Sequence, residues 1–185
     1  SAFKRFLKDE KNVILADLGC GGGDIMVEMA KWSKKRGIEA SFVGIDANPH
    51  IVDYATENTS DFPEITYQPI NIFSDEFKAQ SFDIIQCCLF VHHFTSSELA
   101  KLFRQFRDQT RLGVIINDLH RHPLAFWSIS LLTSLFSRSS MVRNDAAVSV
   151  ARGFKRKELT EILAEAGIEK YSLRWKWAFR WELIF

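Results

Sequence analysis

A short apolar run that leads directly into a glycine-rich turn is the feature that most restricts the fold of this chain. The run, Val13–Leu18, contains Asp17 as its single charged residue and is typical of a buried parallel strand. Glycines follow at positions 19, 21 and 23, and apolar residues then recur at helical spacing from Asp24. Such glycines permit a sharp turn, close approach of a ligand to the backbone, and close packing of the next helix. The segment predicts a strand–turn–helix unit with a ligand site at its turn.

Strand and helix patterns alternate along most of the chain. Further strands are predicted at 41–45, 65–70, 82–88 and 113–117, and helices at 24–36, from about 49 to 57, after 95 and around 159–166. From Leu173 to Phe185 every second residue is apolar, which predicts an antiparallel hairpin. This order predicts a single α/β domain over residues 1–185, Rossmann-like and doubly wound. Its mostly parallel sheet would have about seven strands and end in that hairpin.

Two helix starts carry specific capping signals. Asn48 precedes Pro49, and asparagine is a favoured N-cap while proline suits the first helical turn. Thr95-Ser96-Ser97-Glu98 has the spacing of a capping box, in which the threonine and the glutamate bond to each other's backbone amides. We therefore expect helices to begin directly after Asn48 and Thr95.

Composition and charge argue against several classes of protein and of binding partner. The chain has 24 Lys and Arg against 23 Asp and Glu, a net charge of +1, so no overall field favours nucleic acid or an anionic membrane. Three cysteines without Cys-x-x-Cys spacing predict neither a disulfide framework nor a zinc site. The charged stretch 3–11 is unlike a signal peptide, and the longest uncharged run, Pro123–Ser137, is too short to span a bilayer. We expect a cytoplasmic protein without a transmembrane segment.

The spacing of the glycines separates three classes of ligand site. A dinucleotide fingerprint starting at Gly19 would need a third glycine where Asp24 stands, and the Gly-Lys-Ser/Thr of a phosphate-binding loop is absent. The pattern present is Asp-x-Gly-x-Gly-x-Gly, from Asp17 to Gly23. It resembles the first motif of the class I S-adenosylmethionine-dependent methyltransferases, and the resemblance extends from about Val13 to the end of the chain. The cofactor it implies is S-adenosylmethionine.

Further positions fit the same cofactor. Asp46 ends the second predicted strand, where a carboxylate can accept two hydrogen bonds from a ribose diol, although a loop or N-cap aspartate is the alternative. In the family the acid at this position does hold the cofactor ribose. The resemblance also implies that the methionine end is bounded by Asp17, Gly19, Cys20, Gly21, Gly23 and Cys87. It implies an adenine contact from Ala47, Asn71 and Ile72; for Asn71, a simple turn residue is an equal alternative.

Histidines and one aspartate follow the fourth and fifth predicted strands. The pair His92-His93 is similar to one found in ubiquinone- and menaquinone-type small-molecule methyltransferases. Asp118, His120 and His122 follow the fifth strand and are candidate acceptor contacts. A histidine can remove a proton near neutral pH, which an oxygen acceptor requires. A structural role for both His92 and His93 is the alternative.

No metal is expected. Some catechol-type relatives hold magnesium with an acid after the fourth strand, where this chain has Gln86-Cys87. The pair His120-x-His122 has no third ligand at motif spacing.

The segment 119–145 contains the longest uncharged run. As a helix, the run places Leu124, Trp127, Leu131 and Leu135 on one side. It could be a lid over the acceptor, a dimer surface, an interfacial membrane contact, or ordinary core. Its apolar character favours methyl transfer to the oxygen or carbon of a small hydrophobic or aromatic acceptor. The rival hypotheses are a nicotinamide-dependent oxidoreductase and a cofactor-binding protein without catalysis.

Overall fold

The computed structural model of the chain describes residues 12–136 and 148–185 together with Phe3, Phe6, Leu7 and Glu10, and only the backbone of 130–136. Its strands are β1 Asn12–Leu18, β2 Glu39–Ile45, β3 Ile65–Gln68, β4 Phe82–Cys88, β5 Thr110–Leu119, β6 Ser172–Lys176 and β7 Arg180–Ile184. Its helices are α1 Asp24–Lys34, α2 Pro49–Asn58, α3 Asp75–Lys78, α4 Ser96–Gln109, α5 Pro123–Phe136 and α6 Arg156–Glu165.

Within these described residues, seven strands form one sheet in the order β3-β2-β1-β4-β5-β7-β6. The sheet is mostly parallel and becomes antiparallel at its C-terminal strands. This confirms the predicted Rossmann-like α/β fold. The chain divides into two compact units, the first made of residues 1–88, 105–115 and 184–185, and the second of 89–104 and 116–183.

The first unit contains the parallel strands β1 to β4. β1 pairs with β2 on one side and with β4 on the other, and β2 pairs with β3. Its core is fully buried at Leu15, Met26, Phe42 and Ile84. Burying each such side chain contributes about 1.5–3 kcal/mol. Val114 and Phe185 exchange backbone hydrogen bonds of 2.7 and 3.2 Å, as residues of antiparallel strands do.

Both predicted helix caps are present. The Asn48 side chain accepts a hydrogen bond from the backbone amide of His50 at 3.0 Å, and α2 begins at Pro49. At the start of α4, the Thr95 amide donates to the Glu98 carboxylate at 2.8 Å, and the Glu98 amide donates to the Thr95 hydroxyl at 3.4 Å. These reciprocal bonds satisfy amides that the helix itself leaves unpaired.

The second unit is held together around Phe154. Its backbone amide donates to the carbonyl of Leu119 at 2.8 Å, and its carbonyl accepts from the backbone of Arg121 and from the indole of Trp181. Helix α6 buries Leu159, Ile162 and Leu163, as its spacing predicts. No helix in the described part of the chain is long and apolar enough to cross a membrane.

The C-terminal hairpin departs from its sequence pattern in one respect. In β7, Trp181 and Leu183 are buried, but in β6 only Leu173 is buried; Trp175 of β6 and Trp177, which follows the strand, are exposed. Residues 177–179 form the turn, where Phe179 has a φ of +55°, and the turn interrupts the alternation that predicted a common apolar face.

Candidate active site

The glycine turn after β1 takes the backbone conformation that its sequence predicts. Gly19, Gly21 and Gly23 all have positive φ, between 52° and 81°. A side chain added at Gly23 would overlap the hydroxyl of Tyr67, so this glycine is required for packing. A Cβ added at Gly21 would meet no atom within 4 Å, so that side of the turn is open to a ligand. The amide of Gly19 donates to the carbonyl of Ile45 at 2.8 Å, which fixes the turn against the end of β2.

The strand register brings four strand ends together within the first unit. Leu18 is the register partner of Ile45 in β2 and of Cys87 in β4, and Ile45 is the partner of Gln68 in β3. The residues that follow Leu18, Ile45 and Gln68 therefore leave the sheet at one edge. This is the carboxyl edge, where parallel α/β sheets bind ligands.

Asp17 lies inside the sheet at this edge, and its carboxyl is only 2% exposed. It accepts a hydrogen bond of 3.4 Å from the side chain of Gln86, its register partner in β4. Burial raises the pKa of Asp17 to about 7, and the Gln86 bond opposes that shift. Burial, with the nearby carboxylates of Asp17 and Asp46, raises the pKa of the Cys20 thiol to about 12. Cys20 therefore lines the turn as a neutral thiol.

Asp46 follows β2 directly and is half-buried. Its Oδ1 accepts a hydrogen bond from the backbone amide of Asn48 at 2.9 Å, which orients the carboxylate. This bond is the loop role that the sequence offered as an alternative, and it engages one of the two carboxylate oxygens. Among the described residues no donor bonds to Oδ2, so the loop role and the ribose role are compatible.

The other predicted cofactor residues lie at or shortly after the carboxyl ends of β2, β3 and β4. Ala47 and Asn71 are exposed, whereas Ile72 and Cys87 are buried. The side-chain oxygen of Asn71 accepts from the amide of Phe73 at 2.9 Å, which is the turn role. The adenine role of Asn71 stays a prediction.

These residues fit S-adenosylmethionine. The fit rests on the open side of Gly21, on the free oxygen of Asp46, and on the register that aligns the ends of β1, β2 and β3. A carboxylate is a strong acceptor for the hydroxyl groups of a vicinal diol, and Asp46 is a carboxylate at this edge. A flexible polar ligand that lies along the turn needs the backbone clearance that Gly21 supplies.

In the second unit, Asp118 and His92 form a buried pair. Asp118 is 1% exposed, and its Oδ1 lies 2.7 Å from Nδ1 of His92. The same oxygen accepts from the amide of Leu119, while Oδ2 accepts from the amides of Phe90, Val91 and His92. These bonds engage both oxygens of the carboxylate. Asp118 therefore fixes the turn after β4 and orients His92, and the acceptor contact from Asp118 stays a prediction.

The remaining histidines differ in their surroundings. His93 is exposed and packs against the His92 ring, with centroids 4.2 Å apart; partial burial, with the positive charge His92 can carry, lowers the pKa of His93. Nδ1 of His120 accepts from the Trp175 indole at 3.2 Å, and partial burial lowers the pKa of His120. Nδ1 of His122 accepts from the backbone amide of Leu124 at 3.1 Å, which caps α5. The His120 and His122 rings lie 5.3 Å apart.

Two polar residues were not singled out from the sequence. Gln86 bonds to Asp17, but the two residues lie on different strands, and nothing in the sequence between them predicts that they meet. Asn117, directly before Asp118, has a buried side-chain oxygen with no hydrogen-bond partner among the described residues. A buried unpaired acceptor is uncommon and marks a position where a ligand or water can bind.

The segment 119–145 is described only in part. Residues 137–147 lie outside the described residues, as do the side chains of Leu131 and Leu135. Leu124 and Trp127 are exposed, whereas Ala125 is buried. Core packing is therefore wrong for Trp127, and the lid, dimer and membrane hypotheses stay predictions. Within the described ranges, no group of three His, Cys, Asp or Glu is placed to hold a metal ion.

Comparison with known proteins adds a family and a fold. A family model described as a methyltransferase domain matches residues 15–113, more than half of the chain. No curated protein sequence matches significantly. Among solved structures, magnesium protoporphyrin IX methyltransferase from Synechocystis with bound SAH (S-adenosylhomocysteine) is 14% identical; the match covers 99% of this chain and 77% of that one, with a TM-score of 0.65.

Two further structures are similar. A SAM-dependent methyltransferase from Aquifex aeolicus is 15% identical to this chain. The match covers 99% of this chain and 86% of the Aquifex protein, with a TM-score of 0.70. The plantazolicin methyltransferase in complex with SAH is 20% identical, over 94% of this chain and 63% of its own, with a TM-score of 0.67. For two other similar structures, this chain spans only about half of the matched protein, 53% of one and 46% of the other. At these identities the likeness establishes the fold.

The matched family model, the glycine turn and the aligned strand ends agree with one another. The chain belongs to the methyltransferase-domain family, as a class I S-adenosylmethionine-dependent methyltransferase.

Proposed function

We propose that the protein transfers a methyl group from S-adenosylmethionine to an oxygen or carbon atom of a small, hydrophobic or aromatic acceptor. The main support for cofactor binding is the strand register of Leu18, Ile45 and Gln68, which aligns the glycine turn with Asp46. The acceptor class rests on the apolar segment that starts with α5 and on the aromatic residues that surround His120 and His122. A magnesium porphyrin acceptor of the Synechocystis protein is compatible with that class.

In this proposal the bound cofactor supplies a methyl carbon already activated by the sulfonium. Asp46 binds the ribose through its free oxygen while the Asn48 amide keeps the carboxylate oriented. Gly21 lets the methionine part approach the backbone. Aligning two bound reactants can lower a barrier by about 7–11 kcal/mol, so positioning is the main contribution that the protein makes.

We assign the role of base to His92, because its ring is paired with a buried carboxylate. When Nδ1 donates its proton to Asp118, Nε2 carries the lone pair that can take a proton from an acceptor hydroxyl, and Asp118 stabilises the cation formed. His120 and His122 are poorer candidates, because Nδ1 of each already accepts a hydrogen bond. A carbon acceptor needs this base only where a proton must leave.

Ligand binding tests the cofactor assignment. S-adenosylhomocysteine should raise the melting temperature by mass action, and NADH should leave it unchanged. A folded protein without a shift at millimolar S-adenosylhomocysteine would overturn the assignment. Transfer of a labelled methyl group to a panel of phenols, quinols and a magnesium porphyrin then tests the acceptor class. Cofactor binding without transfer to any member would favour the non-catalytic alternative.

A matched pair of acceptors tests the role of His92. His92→Asn should lower turnover on an unsubstituted phenol, which must lose its proton. It should leave turnover on an acidic nitrophenol close to wild type, because that acceptor is already ionised and needs no base. Equal losses on both acceptors would show that His92 only supports the structure.

A further inference from the structure

A group of large apolar side chains in the second unit is exposed. We define the aromatic surface as Leu124, Phe126 and Trp127 of α5 with Trp175 of β6 and Trp177 of the following turn. These residues are 60%, 39%, 70%, 48% and 89% exposed, respectively. Single exposed apolar residues are ordinary, but a cluster that includes three tryptophans marks a contact surface.

Phe179 and His122 connect the hairpin part of the aromatic surface to the start of α5. The Trp175 ring lies 6.2 Å from the Phe179 ring, which stacks on His122 at 5.3 Å. His122 in turn accepts the hydrogen bond from the amide of Leu124, at the start of α5. The hairpin turn and the first turn of α5 therefore lie side by side within one unit.

A basic stretch lies beside this surface. Arg152, Lys155, Arg156 and Lys157 are all exposed, and they flank Phe154, whose backbone bonds to Leu119 and to Arg121. Among the described residues, one of these four forms an ion pair, Lys157 with Glu161 at 3.7 Å. The stretch therefore has a net positive charge next to the residues that lead into α5.

The second unit as a whole is also positively charged, whereas the first unit is negatively charged. The second unit has 13 Lys and Arg against 8 Asp and Glu, a net +5, whereas the first has 11 against 15, a net −4. The near-zero net charge of the chain conceals this asymmetry. The positive unit is the one that carries the aromatic surface, so the two features point to a single partner that is both apolar and anionic.

We propose that the aromatic surface and the basic stretch 152–157 bind the surface of an anionic phospholipid membrane. Indole rings favour the boundary between hydrocarbon and water, and each Lys or Arg near an anionic headgroup layer adds attraction. Helix α5 has 14 residues and no charged side chain. It is too short to span a bilayer but long enough to lie in the interface. The proposal does not depend on methyl transfer and is tested without cofactor.

Vesicle binding of the full chain provides the test. The protein should cosediment with vesicles of phosphatidylcholine mixed with phosphatidylglycerol and much less with phosphatidylcholine alone, and added salt should weaken binding. The triple variant Lys155→Glu, Arg156→Glu, Lys157→Glu should bind about a hundredfold more weakly, at roughly fivefold per lost charge. The matched control reverses Lys34, Lys35 and Arg36, which are exposed at the end of α1 in the first unit, and should retain binding.

A second pair of variants tests the apolar contribution. Trp127→Ser combined with Trp177→Ser should weaken vesicle binding by about tenfold or more, since each exchange removes a large apolar side chain from the interface. Tyr54→Ser, which is exposed in the first unit, is the control. Absence of binding to anionic vesicles, or equal loss in the variants and controls, would overturn the proposal. A dimer that dissociates in the tryptophan variant without vesicle binding would show that a second copy covers the surface.

Discussion

The buried carboxyl of Asp17 predicts an unusual dependence of stability on pH. Because burial raises its pKa from 3.8 to about 7, the folded protein holds this proton more tightly than the unfolded chain does. The stabilisation is complete below pH 4 and is lost as the pH rises through 7. A shift of about three pH units corresponds to roughly 4 kcal/mol, so the folded state loses about that much free energy of unfolding when Asp17 ionises.

Asp17→Asn should remove this dependence. Asparagine has the shape of the protonated acid and can accept the same hydrogen bond from Gln86, but it does not ionise. The variant should match wild type near pH 4 and exceed its free energy of unfolding by up to about 4 kcal/mol at pH 8. Urea unfolding from pH 4 to pH 8 measures the difference, with Asp53→Asn, on the exposed side of α2, as control. A difference that is constant with pH, or a less stable variant at pH 8, would refute the reasoning.

Four other substitutions have simpler expected outcomes. Asp46→Ala should weaken S-adenosylhomocysteine binding by about tenfold to a hundredfold in calorimetry, since bonds to charged groups contribute about 1.5–3 kcal/mol; unchanged affinity would place the ribose elsewhere. Gly23→Ala should destabilise the fold by roughly 2–5 kcal/mol, because its Cβ would overlap Tyr67 at a positive φ, and Gly21→Ala should cost less because only the strain applies. Trp127→Ala should change the free energy of unfolding by no more than about 0.5 kcal/mol, because the side chain is largely exposed; a larger loss in urea unfolding would contradict that placement.

Local patterns allowed several elements of both units to be predicted from the sequence. The strand before the glycine turn, the Asn48 cap and the Thr95–Glu98 capping box depend on residues a few positions apart, and the structure has all three. Strand β5 extends from Thr110 to Leu119, so the predicted range of 113–117 was too short at both ends. Arg111 lies in that strand because Asp83 and Glu10 both bind its guanidinium, and a charge paired from distant parts of the chain gives no local strand signal.

The second unit was harder to predict because its important contacts are long-range. Asp118 and His92 are 26 positions apart and meet only after each strand has taken its place in the sheet. The exposure of Trp175 and Trp177 depends on where the chain turns, which an alternating pattern does not specify. Residue type therefore identified the candidates, whereas the long-range partner of each side chain determines the hydrogen bonds that it makes.

The role of Asp118 leads to a prediction that separates structure from catalysis. Its carboxylate accepts hydrogen bonds from four backbone amides and lies against His92. Removing it in Asp118→Ala leaves several buried donors unpaired, at about 1–3 kcal/mol each, so we expect a loss of at least about 4 kcal/mol in urea unfolding. His92→Asn removes one partner and keeps the amide bonds, so it should cost no more than about 2 kcal/mol. If the two substitutions were equally destabilising, the amide bonds would contribute little, and the main function of Asp118 would be to orient His92.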